Sequence, residues 1–272
     1  MHALALPPPV FRILSGLIEE HSGLSFRPED AELLAEKATP RALELGFDSM
    51  LEYYYYLRYD QRGALEMDVL TESLLVHETY FFREVKQLQA LVDFILAPEA
   101  PSRIQRVWCA AAATGEEPYT LAILLAERGL LDRVSILATD IGTQALERAR
   151  RAEYGERSLR ALPAGVLGKW LHRRGEKVSV EPSLREHVEW ARVNLKDEEA
   201  LRRLGTFDAI LCRNVLIYFS DEVTRRVVEF LTACLHPGGY LLVGASESLM
   251  RFGTSLASIE LGGAFFYRRM AG

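Results

Sequence analysis

One stretch limits the possible folds of this sequence more than any other. It is a short apolar run, followed by small residues and then by the acidic first turn of a predicted helix. It spans Val107 to Tyr119 and reads Val-Trp-Cys-Ala-Ala-Ala-Ala-Thr-Gly-Glu-Glu-Pro-Tyr. Glu116, Glu117 and Pro118 are favoured in a first helical turn, and the small residues before them let a ligand approach the backbone. Turns of this kind bind nucleotide-like ligands at the carboxyl edge of open α/β sheets. Two acidic residues would repel a pyrophosphate, so the pattern predicts a nucleoside site without phosphates.

From Arg106 onward, predicted strands and helices alternate, which is typical of a doubly wound, mostly parallel α/β sheet with an antiparallel tail. A segment at about 154–190 departs from this rhythm and is interpreted as a small β insertion. The predicted elements are strands at Val107–Cys109, Val134–Ala138, Lys177–Val180, Phe207–Cys212 and Tyr240–Val243, the last fed by a turn at Pro237–Gly239, a hairpin at Ile259–Arg268, and helices at Tyr119–Arg128, Gln144–Arg151 and Glu222–Leu235.

The first part of the chain shows helical spacing only. We predict a loose tail at 1–9, an all-helical domain at 10–76, a linker and helix at 77–100, and the α/β domain at 101–272. The predicted helices are Val10–Ser22, one starting at Pro28, a short third at Arg41–Leu45 after Pro40 and closed by Gly46, Ser49–Arg58, and Asp60–Val76 with Leu65, Val69, Leu70 and Leu74 on one side. Lys37, Arg41 and Arg58 form either an ordinary solvated surface or a docking patch for an acidic partner.

Composition excludes several classes of protein. The net charge is −6 with a pI near 5.6, which argues against nucleic acid as the main partner. The apolar runs are far shorter than the roughly 20 residues of a membrane span, so no membrane insertion is expected. Three widely spaced cysteines indicate buried thiols in a reducing compartment. The six histidines show no metal-ligand spacing, so no metal is predicted.

The choice of nucleoside depends on Asp140, which follows the second predicted strand. A carboxylate there accepts hydrogen bonds from both ribose hydroxyls, which suits NAD and S-adenosylmethionine equally. A dinucleotide site needs a run of glycines to admit the pyrophosphate, whereas only Gly115 is present here. S-adenosylmethionine is cationic at its sulfur and amino groups, so neighbouring acids favour it. The turn therefore favours the methyl donor, although the two glutamates also suit the helix dipole alone.

Five ordered runs resemble the CheR family, the bacterial chemotaxis-receptor glutamate O-methyltransferases. They are Glu-Thr-Tyr-Phe-Phe-Arg-Glu (78–84), Ala-Ala-Ala-Thr-Gly-Glu-Glu-Pro-Tyr (111–119), Ala-Thr-Asp-Ile (138–141), Val-Asn-Leu (193–195) and Phe-Asp-Ala-Ile-Leu-Cys-Arg-Asn-Val-Leu-Ile-Tyr-Phe (207–219). The resemblance extends over nearly the whole chain. It implies a Rossmann-like S-adenosylmethionine-dependent methyltransferase domain, preceded by a helical domain, that acts in the cytoplasm.

The resemblance also implies roles for individual residues. The cofactor-binding set is His77, Thr79, Arg83, Glu116, Glu117, Asp140, Asn194, Leu195, Arg213 and Asn214. The family usually has Asn at the position of His77, and an imidazole also offers one donor and one acceptor. Arg83 and Tyr218 are the candidates for holding the acceptor carboxylate, with Arg173 or Arg174 as a second cation.

The implied substrate is the helical cytoplasmic region of a methyl-accepting receptor, docked through Lys37, Arg41 and Arg58. Some family members also bind a pentapeptide at the receptor's C-terminus through the β insertion. The segment Trp170–Trp190 is a few residues short beside those members, so we expect recognition without that tether. Two alternatives stay open at this point, namely a methyltransferase for another substrate and a non-catalytic module that binds the cofactor or the receptor.

Overall fold

The structure, a computed structural model, describes residues 3–97 and 104–270. Its backbone divides into two units. The first ends at Val76 and includes Tyr218–Val223, and the second takes in His77–Ile217 and resumes at Thr224. The predicted domain boundary between residues 100 and 101 lies outside the described ranges.

Four helices build the first unit. They are α1 (Pro8–Ser22), α2 (Ala31–Glu44), α3 (Met50–Tyr59) and α4 (Gly63–Leu74). The helix α1 starts inside the stretch predicted as a tail, because Pro8 and Pro9 take its first two positions, where a missing N–H is tolerated. The core between the helices is apolar and includes Leu14, Leu34, Tyr53 and Leu70.

The predicted break at Pro40 is wrong, since α2 continues through it. A proline inside a helix removes one hydrogen bond and crowds the preceding turn. Ala38 and Ala42, on either side of it, are fully buried, so packing on both flanks offsets that loss. The helix ends at Glu44, and the predicted closing residue Gly46 follows it with a φ of 85°. The N–H of Phe47 bonds the carbonyl of Ala42 at 2.9 Å, as in a left-handed C-terminal cap.

The predicted apolar face of α4 is also partly wrong. Leu70 and Leu74 are buried as expected, but Leu65 and Val69 are 71% and 43% exposed. Glu66 is buried instead, at 7% exposure, because Arg41 and the Tyr53 hydroxyl bind its carboxylate. Because its carboxylate has partners, Glu66 can be buried. The buried face of α4 is therefore rotated from the one that its apolar residues alone indicate.

The second unit contains a seven-stranded sheet in the order β6-β2-β1-β7-β8-β10-β9. Strands β6, β2, β1, β7 and β8 are parallel, and β9 and β10 form the predicted antiparallel tail. The strands of this sheet are β1 (Gln105–Ala110), β2 (Val134–Asp140), β6 (Val188–Arg192), β7 (Phe207–Cys212), β8 (Leu235–Val243), β9 (Leu256–Leu261) and β10 (Ala264–Arg269). The register pairs Ala110 with Thr139 and with Cys212, so the carboxyl ends of β1, β2 and β7 lie side by side.

Helices flank the sheet, and a separate small sheet branches from it. The helices are α5 (Val85–Leu91), which continues as a π-helical turn at Val92–Leu96, then α6 (Glu116–Glu127), α7 (Thr143–Arg151), α8 (Pro182–Arg185), α9 (Glu198–Arg203) and α10 (Asp221–Ala233). The small sheet has the order β3-β5-β4. Its strands are β3 (Glu153–Tyr154), β4 (Leu171–Arg174) and β5 (Lys177–Val180).

Two strands differ from the sequence expectation. The strand β8 begins at Leu235 and runs through the glycines predicted as a turn, with a register irregularity opposite Phe207–Ala209 of the kind that accommodates proline and glycine in a strand. The strand β6 is an edge of the main sheet, although the insertion was expected to extend to about residue 190. Within 3–97 and 104–270, no helix is both long and apolar enough to cross a bilayer.

Candidate functional site

The turn between β1 and α6 brings its backbone to the carboxyl edge of the sheet. Ala111, Ala113 and Gly115 all have positive φ, at 56°, 47° and 95°. A side chain at Gly115 would meet the ring of Trp190 at 2.8 Å and Ala149 at 2.9 Å, so only glycine fits there. Left-handed alanines are strained and persist where the surroundings determine them, often at binding sites.

Asp140 connects this turn with the end of β2. One carboxylate oxygen accepts the N–H of Ala113 at 2.8 Å, and the other accepts the N–H of Gly142 at 2.8 Å. The residue is 6% exposed. These two bonds fix the orientation of the carboxylate between the β1 turn and the end of β2.

Glu116 and Glu117 have different surroundings although they are adjacent in sequence. Glu116 is 2% exposed, and its oxygens accept the hydroxyls of Thr114 at 2.6 Å and Ser158 at 2.8 Å. Glu117 pairs through Oε2 with Arg213 at 2.5 Å and keeps 17% of its side chain exposed. The structure therefore places Glu117 at the site and gives Glu116 an internal role.

Arg213 is the centre of a buried ionic cluster where β7 ends. Its side chain is 1% exposed. Nη1 donates to Glu117, Nη2 to Glu84 at 3.0 Å, and Nε to the side chain of Gln87 at 3.0 Å. Nη2 also contacts the carbonyl of Arg83 at 3.2 Å. Each of the three guanidinium nitrogens donates to a protein group, so Arg213 supports the site through its neighbours.

The two carboxylates bound to Arg213 have pKa values shifted in opposite directions. Burial raises the pKa of Glu117, and Arg213 only partly counteracts it. Burial also acts to raise the pKa of Glu84, but Arg213, the N–H of Ala245 and the amide of Asn214 outweigh it, and the net pKa is lowered. Glu84 is thus held ionised, whereas Glu117 takes up a proton more readily than an ordinary glutamate.

The linker contributes His77, Thr79 and Arg83. In the described part of the chain, the buried Nε2 of His77 has no hydrogen-bond partner, a condition that is rare for a buried polar atom. Thr79 is half-buried. The Arg83 guanidinium donates to the carbonyl of Glu78 at 2.9 Å and lies 5.9 Å from the centre of the Tyr80 ring. Its Nε also lies 4.0 Å from Oε1 of Glu84, which places it by the ionic cluster.

The segment after β6 carries the predicted pair Asn194 and Leu195. The N–H of Val193 bonds the carbonyl of Asp140 at 3.0 Å, which holds this segment beside the carboxylate. Asn194 is half-buried, and its side-chain Oδ1 accepts the N–H of Lys196 at 3.0 Å. Leu195 is buried. The structure thus brings this pair to the edge of the sheet where Asp140 lies.

Two residues that the sequence analysis missed complete the site's framework. Glu84 accepts the N–H of Ala245 at 3.1 Å and the amide of Asn214 at 3.3 Å. Glu247 accepts the N–H groups of Asn214 at 2.7 Å and Gly244 at 2.8 Å. Glu84 ends the run 78–84. A charged residue directly after three aromatic residues and an arginine is the sequence feature that could have indicated a role for it. Nothing local in the sequence distinguishes Glu247.

The predicted substrate-binding residues are dispersed. Tyr218 belongs to the first unit and packs on its apolar core. Arg41 is bound to Glu66 at 2.6 Å and to Glu44 at 2.5 Å, Arg58 to Glu20 at 2.7 Å, and Arg173 to Glu156 at 2.7 Å. Lys37 is exposed. Arg41 is committed to the interior of the helical unit, which differs from the docking role expected of it.

Within the described ranges, no group of three or more His, Cys, Asp or Glu side chains is arranged to hold a metal. The three cysteines are free and buried, and burial raises their pKa values. The site instead offers backbone amides, two carboxylates and small side chains.

Comparison with known proteins agrees with this chemistry. The family model described as CheR methyltransferase, SAM binding domain, matches residues 77–262. Chemotaxis protein methyltransferase 2 of Vibrio cholerae is 33% identical over 85% of this chain and 83% of that protein. Chemotaxis protein methyltransferase of Salmonella typhimurium is 34% identical over 90% and 85%. A solved O-methyltransferase family protein from Burkholderia thailandensis overlaps loosely, with a TM-score of 0.44 at 14% identity over 94% of this chain and 76% of that one.

Proposed function

This chain belongs to the CheR methyltransferase family, and from that premise we propose that it transfers a methyl group from S-adenosylmethionine to glutamate side chains of chemotaxis receptors. The product is a glutamate methyl ester, and the reaction serves sensory adaptation. The match over residues 77–262 carries the proposal, because it contains the β1 turn, Asp140, Glu117 and the cluster around Arg213.

The residues present fit S-adenosylmethionine. Asp140 has two oriented carboxylate oxygens at the end of β2, where a carboxylate binds the hydroxyls of a ribose. The β1 turn lacks the run of glycines that a phosphate-binding loop needs. Its small alanine side chains still let a ligand approach the backbone. The unpartnered Nε2 of His77 supplies a further polar contact, and Asn194 and Leu195 lie beside Asp140.

Glu117 is the acid that meets the cationic part of the cofactor. Its Oε2 is held by Arg213, and 17% of its side chain remains exposed. Glu116 has both oxygens bound by hydroxyl groups in the interior. We therefore assign the ligand contact to Glu117, and the support of the turn to Glu116.

The chemistry needs alignment more than proton transfer. When bound, S-adenosylmethionine supplies an electrophilic methyl carbon attached to a sulfonium leaving group. A glutamate carboxylate is already ionised near neutral pH, so no strong general base is required of this chain. What the protein must do is hold that carboxylate in line with the methyl group at about 3–3.5 Å. A guanidinium holds a carboxylate through two parallel hydrogen bonds.

Arg83 is the residue proposed to hold the acceptor carboxylate. Its guanidinium is 30% exposed, it is anchored by the carbonyl of Glu78, and it lies by the ionic cluster of the cofactor site. Tyr218 is retained as a second candidate. Its hydroxyl has no hydrogen bond to the described part of the chain, and its ring packs on the first unit's core.

The proposed acceptor is a helical cytoplasmic region of a chemoreceptor. The relatives are chemotaxis methyltransferases, which supports a chemoreceptor substrate in general. Among the predicted docking cations, Lys37 is exposed, while Arg58 and Arg173 form exposed ion pairs that a partner can displace at little cost. We further propose that no C-terminal pentapeptide tether is needed. Tight binding of such a peptide in calorimetry would refute that part.

The proposed reaction is tested by incubating the protein with labelled S-adenosylmethionine and chemoreceptor-containing membranes. The expected product is receptor label that is released as methanol by mild base, since carboxyl methyl esters are base-labile. Label that resists base would point to another substrate group. Thermal stabilisation by S-adenosylhomocysteine without any transfer would point to a binding module.

A further inference from the structure

Glu84 is a charged residue in the linker whose contacts join three separate parts of the second unit. Its carboxylate binds Arg213 at the end of β7 at 3.0 Å, the amide of Asn214 at 3.3 Å, and the N–H of Ala245 after β8 at 3.1 Å. Only a quarter of its side chain is exposed. A solvated surface glutamate is satisfied by water, whereas the carboxylate of Glu84 accepts from three protein donors. These contacts indicate a structural role for Glu84.

The backbone at Glu84 is held in a conformation that needs support. Its φ is 48°, and that of Phe82 is 62°, a region that L side chains rarely adopt because the side chain crowds the backbone. The rings of Phe81 and Phe82 are buried, and their N–H groups bond the carbonyl of Ser158 at 2.9 Å and the hydroxyl of Thr120 at 3.0 Å. The turn is therefore fixed before Arg83 by apolar packing and after it by the carboxylate of Glu84.

Arg83 lies between these two anchors. Its carbonyl accepts Nη2 of Arg213 at 3.2 Å, the same nitrogen that donates to Glu84. One guanidinium thus fixes both the backbone of Arg83 and the side chain that follows it. Since Arg213 is 1% exposed, water does not replace a lost partner easily.

We infer that Glu84 is a positioning residue that sets the Arg83 guanidinium for the acceptor carboxylate by clamping the linker onto Arg213. The inference rests on the proposed function, because it assigns Glu84 to the reaction in which Arg83 holds the substrate. The clamp acts on the linker and makes no contact with the acceptor itself. Its loss lowers the rate of transfer and leaves the affinity for the cofactor nearly unchanged.

The test uses Glu84→Gln, which keeps the shape of the side chain and removes its charge. We expect kcat for receptor methylation to fall about 10- to 100-fold, the range that a lost charge-assisted hydrogen bond gives. The dissociation constant for S-adenosylhomocysteine should stay within about threefold, the range expected when no direct contact is lost. Asp93→Asn is the matched control, because Asp93 also pairs with an arginine, Arg128 at 2.8 Å, outside the cluster.

A double-mutant cycle with Arg83→Lys separates positioning from a general structural role. If Glu84 acts through Arg83, the double variant should have nearly the kcat of Arg83→Lys alone. Additive losses in kcat would overturn the inference. So would a parallel loss of S-adenosylhomocysteine affinity and melting temperature that accounts for the lower rate.

Hydrogen exchange provides a readout that does not depend on activity. In Glu84→Gln the amides of segment 78–88 should exchange faster, while the strands of the seven-stranded sheet keep their protection. Unchanged exchange in that segment would show that Glu84 does not clamp the linker. If the unmodified protein gives no base-labile product, the proposed function fails, and faster exchange would then identify the clamp as a purely structural one.

Discussion

At the scale of single residues, the site depends on how α6 begins. Consecutive helical residues point about 100° apart, so one of two adjacent glutamates turns inward while the other faces the edge of the sheet. Glu116 is enclosed by Thr114 and Ser158, and Glu117 meets Arg213. In the proposed function, the same sequence pair supplies one structural carboxylate and one carboxylate that contacts the cofactor.

This assignment predicts opposite results for two isosteric substitutions. Glu117→Gln should weaken S-adenosylmethionine binding about tenfold, since a charge-assisted contact is lost, with little change in unfolding. Glu116→Gln should lower the free energy of unfolding by about 1–2 kcal/mol and change the affinity little. Calorimetric titration and chemical denaturation of both variants measure the two effects. The reverse pattern would move the ligand contact to Glu116.

The raised pKa of Glu117 gives cofactor binding a pH dependence. Glu117 holds its proton to a higher pH in the folded protein than in the unfolded chain. Ionisation of Glu117 therefore lowers the free energy of unfolding, and this loss disappears as the pH falls. A cationic ligand needs the ionised form. Affinity for S-adenosylmethionine should therefore decrease on acidification, beginning above the pH where an ordinary glutamate titrates. The part of this decrease due to Glu117 should vanish in Glu117→Gln, and identical profiles for the two proteins would contradict it.

Asp140 gives the most direct test of the ribose position. In Asp140→Asn the loss of charge and of one acceptor oxygen should weaken S-adenosylhomocysteine binding by about 1.5–3 kcal/mol, or roughly 10- to 100-fold. Asp132→Asn is a suitable control, because Asp132 is 96% exposed and pairs only with His187 in the described part of the chain. Titration calorimetry compares the two. Equal affinity of Asp140→Asn and the control would remove Asp140 from the cofactor site.

At the scale of elements, strands were predictable where their composition is continuous and both flanks carry helix or turn signals. This holds for Phe207–Cys212 and for the Gly262–Gly263 hairpin. The errors arose where tertiary contacts outweigh local preference. Pro40 stays inside α2 because its neighbours are buried, and β8 continues through Pro237 because a sheet irregularity accommodates it.

The site shows the same division. The proximity of Asp140 to the β1 turn was predictable, because the carboxyl ends of neighbouring parallel strands lie at the same edge of a sheet. The role of Arg213 was not, since its partners Glu84 and Glu117 are separated from it by many residues and meet it only in the folded unit. Charged residues that satisfy one another in the interior leave no periodic signal in a sequence.

The helix α4 offers a test of its corrected face. Leu70 is fully buried, whereas Leu65 on the same helix is 71% exposed. Leu70→Ala should reduce the free energy of unfolding by about 2–5 kcal/mol, and Leu65→Ala by less than about 0.5 kcal/mol. Denaturant unfolding monitored by circular dichroism measures both. Similar losses for the two variants would restore the face predicted from the apolar residues alone.

At the scale of the whole molecule, charge is unevenly distributed along the chain. Residues 10–76 contain six Lys or Arg against thirteen Asp or Glu, a net of −7, whereas residues 77–272 contain 26 basic and 25 acidic residues, a net of +1. A helical unit with this balance repels an acidic receptor helix at long range. Any attraction it exerts must come from local contacts, which act only within a Debye length of about 8–10 Å.

Lys37 is the cation best placed to make such a contact, because it is exposed and Arg41 is committed to Glu66. Lys37→Glu should raise the KM for receptor about three- to tenfold at low salt, with S-adenosylhomocysteine affinity unchanged, since each surface contact contributes about 1 kcal/mol or less. The difference should shrink as salt is added. Arg12→Glu makes the same charge change at another exposed position of the unit. If both variants raise KM equally, the overall field of the helical unit governs receptor encounter; an unchanged KM in Lys37→Glu would place the docking surface elsewhere.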